Sequence, residues 1–238
     1  MNNALIFAGG SGTRMNSKGR PKQFLQFYGK ELIIHTLENF QNHSEIDGIV
    51  IVCIEDWIPY LNKILKKYEI DKVRKVVSGG SSGQESIYKG LCAIESFADA
   101  DSIVLIHDGV RPFINSEVIS DCIKSVKNHG SAITIVPAIE TIVTTNEGKI
   151  QSITERSKCS LARAPQCFFL KDIVAAHKQA IKDGNDNMID SASLMQFYGH
   201  ELYTVMGNVD NIKITTPADF YTFKALYEVR ENQQIFGL

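Results

Sequence analysis

Short runs of apolar, β-branched residues recur along this chain, and amphipathic stretches of helical period separate them. The runs are 4–8, 48–53, 73–77, 102–107 and 132–136; the helical stretches between them are 32–40, 57–68, 85–96 and 116–127. Strands alternating with helices of this length build βαβ units, so the pattern predicts an α/β fold: a mainly parallel sheet with helices on both faces. Further helices are expected at 171–182 and 191–198 and strands at 201–205 and 211–214. A last helix is expected at 217–229, with Pro217 at its start. No Pro/Gly/Ser linker, low-complexity tract or repeat interrupts the order, so residues 1–238 read as a single domain.

One region breaks the alternation. Thr141 to Thr145, the turn Asn146-Glu147-Gly148, and Lys149 to Thr154 read as a β-hairpin inserted where another helix is expected. A lone hairpin cannot bury both faces, so it either packs on a second subunit or stands in solvent.

The first strand feeds into Gly9-Gly10-Ser11-Gly12-Thr13-Arg14-Met15. Three glycines in four positions allow a tight turn whose successive N–H groups converge on an anion. A Walker A loop would end in Gly-Lys-Ser/Thr, and a dinucleotide fingerprint needs a small residue where Met15 stands. Neither fits. Arg14, Lys18, Arg20 and Lys22 surround the turn, a concentration of charge suited to a triphosphate. A solvated glycine turn with ordinary surface cations is the plain alternative.

Two further constellations stand out. His107-Asp108-Gly109-Val110-Arg111-Pro112 follows the fourth strand, where a carboxylate can hold Mg²⁺ or a ligand hydroxyl, or cap a helix. Asp210-Asn211-Ile212-Lys213 alternates a lysine with apolar residues; turned to the ligand edge of the sheet, that lysine meets phosphate.

Composition excludes more than it selects. The 25 Lys+Arg against 27 Asp+Glu leave a net charge of −2, without the basic excess of a protein that binds nucleic acid. No apolar stretch is long enough to span a membrane, and Met1 to Phe7 has no basic leader. Cys53, Cys92, Cys122, Cys159 and Cys167 form an odd set without a CxxC pair, which reads as reduced, buried thiols of a cytoplasmic protein. The six histidines are scattered and read as structural.

Taken together, these segments resemble the cytidylyltransferase family that includes 2-C-methyl-D-erythritol 4-phosphate cytidylyltransferase and ribitol-5-phosphate cytidylyltransferase. The matching pieces are Ala8 to Met15, Pro21-Lys22-Gln23-Phe24, His107 to Pro112, Pro165-Gln166 and Asp210 to Thr215, in the family's order across nearly the whole chain. The resemblance implies a Rossmann-like nucleotidyltransferase fold and a homodimer interlocked through the arm at about 139–162. It implies that Ala8, Gly9, Gly10, Ser11, Gly12 and Thr13 wrap the nucleotide phosphates, with Arg14 and Lys22 as the basic pair on the triphosphate. Gly80, Ser81 and Ser86 would face the cytosine and ribose, with Gly109 beside the ribose. Asp108, Arg111, Thr141, Arg156 and Lys213 would surround the acceptor, Thr141 and Arg156 reaching over from the partner's arm. Asp108 and Asp210 would be the carboxylates near Mg²⁺.

The chemistry agrees with that set. An acceptor phosphate attacks the α-phosphorus of CTP in line and pyrophosphate leaves. The anionic phosphate is already a nucleophile, so catalysis amounts to holding two polyanions together and stabilising the charge that develops. Arg14, Lys22, Arg156 and Lys213 are the residue types this requires.

Three positions depart from the family's usual pattern: Gly83 in place of Arg, and Ala164 and Ile189 in place of Thr. Losing two hydroxyl donors from the acceptor phosphate costs roughly 0.5–1.5 kcal/mol each. Compensation is expected from Arg163 or Asn187. The departures disfavour the methylerythritol acceptor, and the Pro-Lys-Gln-Phe and His-Asp-Gly-Val-Arg-Pro variants resemble the polyol-phosphate branch. Ribitol 5-phosphate ranks first, with arabinitol and mannitol phosphates open, and the product would feed teichoic acid or capsule. A nucleotide-binding regulator without turnover is a second class. A dehydrogenase is disfavoured because only Glu55 stands near the position of an acidic ribose ligand.

Overall fold

The computed structural model describes residues 1–10 and 19–236. In chain order the strands and helices are β1 (Asn2–Ala8), β2 (Gln26–Phe27), β3 (Lys30–Glu31), α1 (Leu32–Gln41), β4 (Gly48–Cys53), α2 (Ile58–Lys67), β5 (Val73–Ser78), α3 (Gly83–Glu95), β6 (Ile103–Asp108) and α4 (Ser116–His129). They continue as β7 (Ser131–Pro137), β8 (Ile142–Asn146), β9 (Lys149–Thr154), β10 (Ser160–Phe169), α5 (Leu170–Asp183), α6 (Ser191–Phe197), β11 (Thr204–Met206) and α7 (Pro217–Phe236).

Seven strands form one sheet in the order β11-β7-β10-β6-β1-β4-β5. Only β10 runs antiparallel to its neighbours. The pleat sorts the apolar runs into two layers. Ala4, Ile6 and Ala8 of β1 and Ile49 and Ile51 of β4 pack with α1, α2 and α4. Leu5, Val50, Val52, Val104 and Ile106 turn the other way, towards α3, α5 and α6. This is why the runs are continuously apolar and not alternating: both faces are covered. The chain runs from β1 to β4 and β5 on one side, then returns to β6 on the other side of β1. That reversal opens a crevice at the carboxyl ends of β1 and β6, where Phe7 lies opposite Asp108.

Most predicted strands and helices agree with the structure to within a few residues. Helix α7, however, runs seven residues past the predicted end at 229, and the two-residue strands β2 and β3 were not predicted. Two larger differences concern the main sheet. Asn211–Ile214, read as a strand, lies outside the sheet. The backbone N–H of Ile214 donates to the Val110 carbonyl (3.0 Å), and the Ile214 side chain packs in a third cluster with Phe27, Phe113 and Phe223. It cannot join the sheet beside β6, where it lies, because both edges of β6 are already paired, by β1 and β10. Conversely, β10 was not anticipated. Pro165 lies at its centre, where proline ordinarily argues against an inner strand. A register shift between Ala162 and Gln166 accommodates it: these pair with Ile135 and Ile133, so β10 carries extra residues there.

The arm β8–β9 is a separate two-stranded sheet. Val143 and Ile153 form a cross-strand pair on it, 38% and 68% exposed. Of the cysteines, Cys53, Cys122 and Cys167 are buried, while Cys92 and Cys159 are partly exposed, which corrects the expectation of a wholly buried set; all five are free thiols.

Helix α3 approaches the sheet closely through Gly90. A Cβ there would stand 2.4 Å from Leu5 Cδ1 and 2.8 Å from Val52 Cγ2. Gly90→Val is expected to destabilise the fold by about 1–3 kcal/mol through overpacking, read as a lower urea midpoint.

Candidate active site

The centre of the site is the turn after β6. The backbone N–H of Arg111 donates to the Asp108 carbonyl (3.1 Å), and His107 Nε2 lies 3.1 Å from the Arg111 carbonyl. Burial pushes the His107 imidazole down to about 4, so it is neutral at pH 7. The Asp108 carboxylate receives Arg111 Nε on Oδ2 (2.8 Å) and Lys213 Nζ on Oδ1 (2.7 Å). Burial alone would raise this carboxyl. The charges and hydrogen bonds of Lys213 and Arg111 outweigh it and hold the group at about 2.

Asn211 joins three segments at this point. Its backbone carbonyl accepts from Arg111 Nη1 (2.8 Å), and its side-chain Nδ2 donates to the Ala164 carbonyl (3.0 Å). In the same irregular part of β10, Thr134 Oγ1 donates to the Pro165 carbonyl (2.7 Å). Arg163 stands within this stretch. Its Nε is buried without a hydrogen-bond partner among the described residues, and burial, then the nearby Arg111 charge, lower its pKa.

Asp108, Arg111, Arg163 and Lys213 line a cavity of about 520 Å³ whose other wall is the loop 184–190 and the start of α3. Two glutamines pin that loop. Gln84 donates to the Asn185 carbonyl (2.8 Å) and accepts from the Met188 N–H (2.9 Å). Gln166 donates to Asp190 Oδ2 (2.7 Å) and accepts from the Ala192 N–H (2.9 Å).

The residues expected to meet the nucleotide gather at the same crevice. Ser86 Oγ accepts from the Gly80 N–H (2.9 Å) and donates to the Ser82 carbonyl (2.7 Å). Glu85 Oε2 takes the Ser81 N–H (2.6 Å) and hydroxyl (2.7 Å), and these bonds, with Lys89, hold its carboxyl at about 2. The Gly109 N–H donates to the Phe7 carbonyl (2.9 Å), which docks the β6 turn on β1. Lys22 is buried on a short 3-10 turn, Lys22–Phe24. Beside it, Gln23 Nε2 donates to the Ala8 carbonyl (2.6 Å) and the Gly10 carbonyl (3.3 Å). Ser11, Gly12, Thr13, Arg14 and Lys18 lie outside the described residues.

The expected residues divide accordingly. Ala8, Gly9, Gly10, Gly80, Ser86, Asp108 and Gly109 surround the crevice, and Arg111, Arg163 and Lys213 line the cavity beside it. Thr141 and Arg156 do not line the cavity: both are exposed on the arm region, where Arg156 Nη1 donates to the Ile139 carbonyl (3.2 Å). The expected metal pair does not fit a protein-held Mg²⁺. Each oxygen of Asp108 is engaged by a cation, and Asp210 faces Arg230 at 3.7 Å. Among the described residues no group of three His, Cys, Asp or Glu converges on one point. No helix of the described residues is long and apolar enough to cross a membrane.

Of the departures from the pattern, Gly83 opens α3 with nothing within 4 Å of where its Cβ would be, so packing does not require glycine. Ala164 is buried and Ile189 is 94% exposed. Sequence reasoning missed the anchoring amides Gln23, Gln84, Gln166 and Asn211. Three of them sit inside the motifs it singled out, beside the charged residues that drew the attention.

Residues 3–228 match the family described as IspD, 2-C-methyl-D-erythritol 4-phosphate cytidylyltransferase. The chain belongs to the IspD cytidylyltransferase family. It is similar to a ribitol-5-phosphate cytidylyltransferase of Streptococcus agalactiae serotype III, at 53% identity over 239 residues and the whole of both chains. It is also similar to a 2-C-methyl-D-erythritol 4-phosphate cytidylyltransferase of Clostridium novyi, at 40% identity over 95% of this chain and 96% of the relative. Among solved structures, 4-diphosphocytidyl-2C-methyl-D-erythritol synthase from Anaerococcus prevotii superposes with a TM-score of 0.82, at 26% identity over 95% of this chain and 96% of that one. Membership of this family sets the dehydrogenase reading aside.

The depressed Asp108 pKa gives a signed prediction. A carboxylate held at about 2 against an ordinary 3.8 contributes stability that is complete above about pH 4 and is lost as pH falls towards 2. Asp108→Asn is expected to cost up to about 2 kcal/mol at pH 7. The gap from the unsubstituted protein should close between about pH 4 and 2, followed by urea unfolding at each pH.

Proposed function

We propose that this cytidylyltransferase transfers the cytidylyl group of CTP to ribitol 5-phosphate, giving CDP-ribitol and pyrophosphate, in a single domain (residues 1–238) with an arm at about 139–162. The observation that carries the acceptor half is the cation cluster at the 520 Å³ cavity: Arg111, Lys213 and Arg163, the last with a buried, unpartnered Nε. Burial and then the Arg111 charge disfavour the Arg163 guanidinium; an anion between the two relieves this, and a phosphate accepts donors from both. Arg163 supplies donors that Ala164 and Ile189 lack. The full-length similarity to a ribitol-5-phosphate cytidylyltransferase supports the same acceptor.

In this reading Ala8 to Thr13 wrap the triphosphate, with Arg14 and Lys22 on its charge. Gly80, Ser81, Ser86 and Gly109 border the nucleoside. Asp108 orients Arg111 and Lys213, and Thr141 and Arg156 of the partner subunit close the acceptor site. Mg²⁺ enters as part of the nucleotide substrate. The acceptor phosphate attacks the α-phosphorus, and the cations stabilise the charge moving onto the leaving pyrophosphate. The supply of CTP puts the reaction in the cytoplasm, and the product is an activated polyol of the kind that teichoic acid or capsule synthesis consumes.

The test is pyrophosphate release from CTP with a panel of ribitol, arabinitol, mannitol and methylerythritol phosphates. Ribitol 5-phosphate should give the highest kcat/KM; turnover with methylerythritol phosphate alone would overturn the assignment. Lys22→Ala should lower kcat by about 10²–10³. Arg163→Ala should raise the acceptor KM by about 10–100-fold with the CTP KM unchanged, the loss of a hydrogen bond to a charged group.

The exposed Val143–Ile153 pair supports a homodimer through the arm. If Arg156 serves the partner's site, inactive Arg156→Ala and Lys213→Ala proteins should regain activity when mixed, because one site of each mixed dimer is intact. No recovery after subunit exchange would refute a shared site.

A further inference from the structure

We infer that Asn211 is a positioning residue for the acceptor phosphate, acting through the irregular stretch of β10 that carries Arg163; the inference rests on the acceptor reading above. An arginine in an ordinary strand takes its direction from the pleat. Arg163 instead lies where β10 departs from register with β7, between Ala162 and Gln166, and such a stretch re-aims its side chains. Something must fix the aim. The two carbonyls that follow Arg163 are each held by a buried side chain: Ala164 by Asn211 Nδ2 (3.0 Å) and Pro165 by Thr134 Oγ1 (2.7 Å).

Asn211 differs from Thr134 in what else it touches. Its own carbonyl accepts from Arg111 Nη1 (2.8 Å), and it lies two residues before Lys213, whose Nζ reaches Asp108 (2.7 Å). One residue therefore fixes Arg163, Arg111 and Lys213 relative to one another, although the three come from different segments. Asn211 is 2% exposed and its Oδ1 has no partner among the described residues. The amide is used for its donor alone, and a buried acceptor left without a partner calls for a reason, which the hold on the Ala164 carbonyl supplies.

Truncation separates this role from general support of the fold. Asn211→Ala removes the bond to Ala164 but keeps the backbone carbonyl that Arg111 uses. We expect kcat/KM for ribitol 5-phosphate to fall by up to about 10²-fold, the effect of misplacing a substrate-orienting group, mainly through KM. The KM for CTP should change by less than about twofold. Because Asn211 acts through Arg163, the Asn211→Ala/Arg163→Ala pair should lose no more than the worse single variant. Asn211→Asp keeps the volume but not the amide donor, and it serves the same comparison if the alanine variant does not fold. Equal losses towards both substrates, or losses that multiply in the double variant, would overturn the inference. If the unsubstituted enzyme turns over another polyol phosphate and not ribitol 5-phosphate, the acceptor assignment fails, and the same comparison made with that acceptor still decides the role of Asn211.

Discussion

A single carboxylate between two cations organises this protein's site. Asp108 lies at the end of β6 and binds Arg111 from its own turn and Lys213 from a segment far later in the chain. Without it, two like charges would face each other beside a cavity that already holds Arg163. With it, they stand side by side with donors to spare. The pair of bonds also explains why the 210–214 segment sits where it does. It has no strand partner, and Lys213, the Arg111 bond to Asn211 and the packing of Ile214 are what fix it.

The sheet supplies the frame for that carboxylate. β1 and β6 are adjacent and parallel, so their carboxyl ends open together, and the turn beyond each delivers a different chemistry. The β1 end carries the glycine turn, which Gln23 grips through the carbonyls of Ala8 and Gly10. The β6 end carries the charges. Between them the Gly109 N–H, bonded to Phe7, keeps the two turns in one register.

Much of this was legible in the sequence, and the exceptions have physical causes. Apolar runs such as Gly48–Cys53 mark buried parallel strands because covering both faces leaves no polar positions, and the observed strand has those same limits. That Asp108, Arg111 and Lys213 come together was legible because Arg, Lys and Asp clustered beside strand ends have few purely structural uses. β10 was not, because Pro165 and Arg163 are poor strand residues whose place depends on Asn211 and Thr134. Asn211–Ile214 failed in the opposite sense: a strand-like pattern needs an open edge, and pairing is a property of the whole sheet. The glutamines that anchor loops escaped because an amide's partner lies far away in sequence, as with Gln84 and Asn185.

The two clamps on the 184–190 loop have a consequence for how such an enzyme diversifies. Gln84 grips it by the backbone of Asn185 and Met188, and Gln166 holds the Asp190 carboxylate and the first turn of α6. The side chains of Asp186, Asn187 and Ile189 take no part in either clamp and face solvent at the cavity rim. The loop's path and its chemical face are therefore encoded by different residues. On the proposed acceptor assignment, replacing the rim residues alters what an incoming polyol meets without moving the scaffold. On that assignment, acceptor preference is written in the rim side chains while the residues that hold the loop stay unchanged.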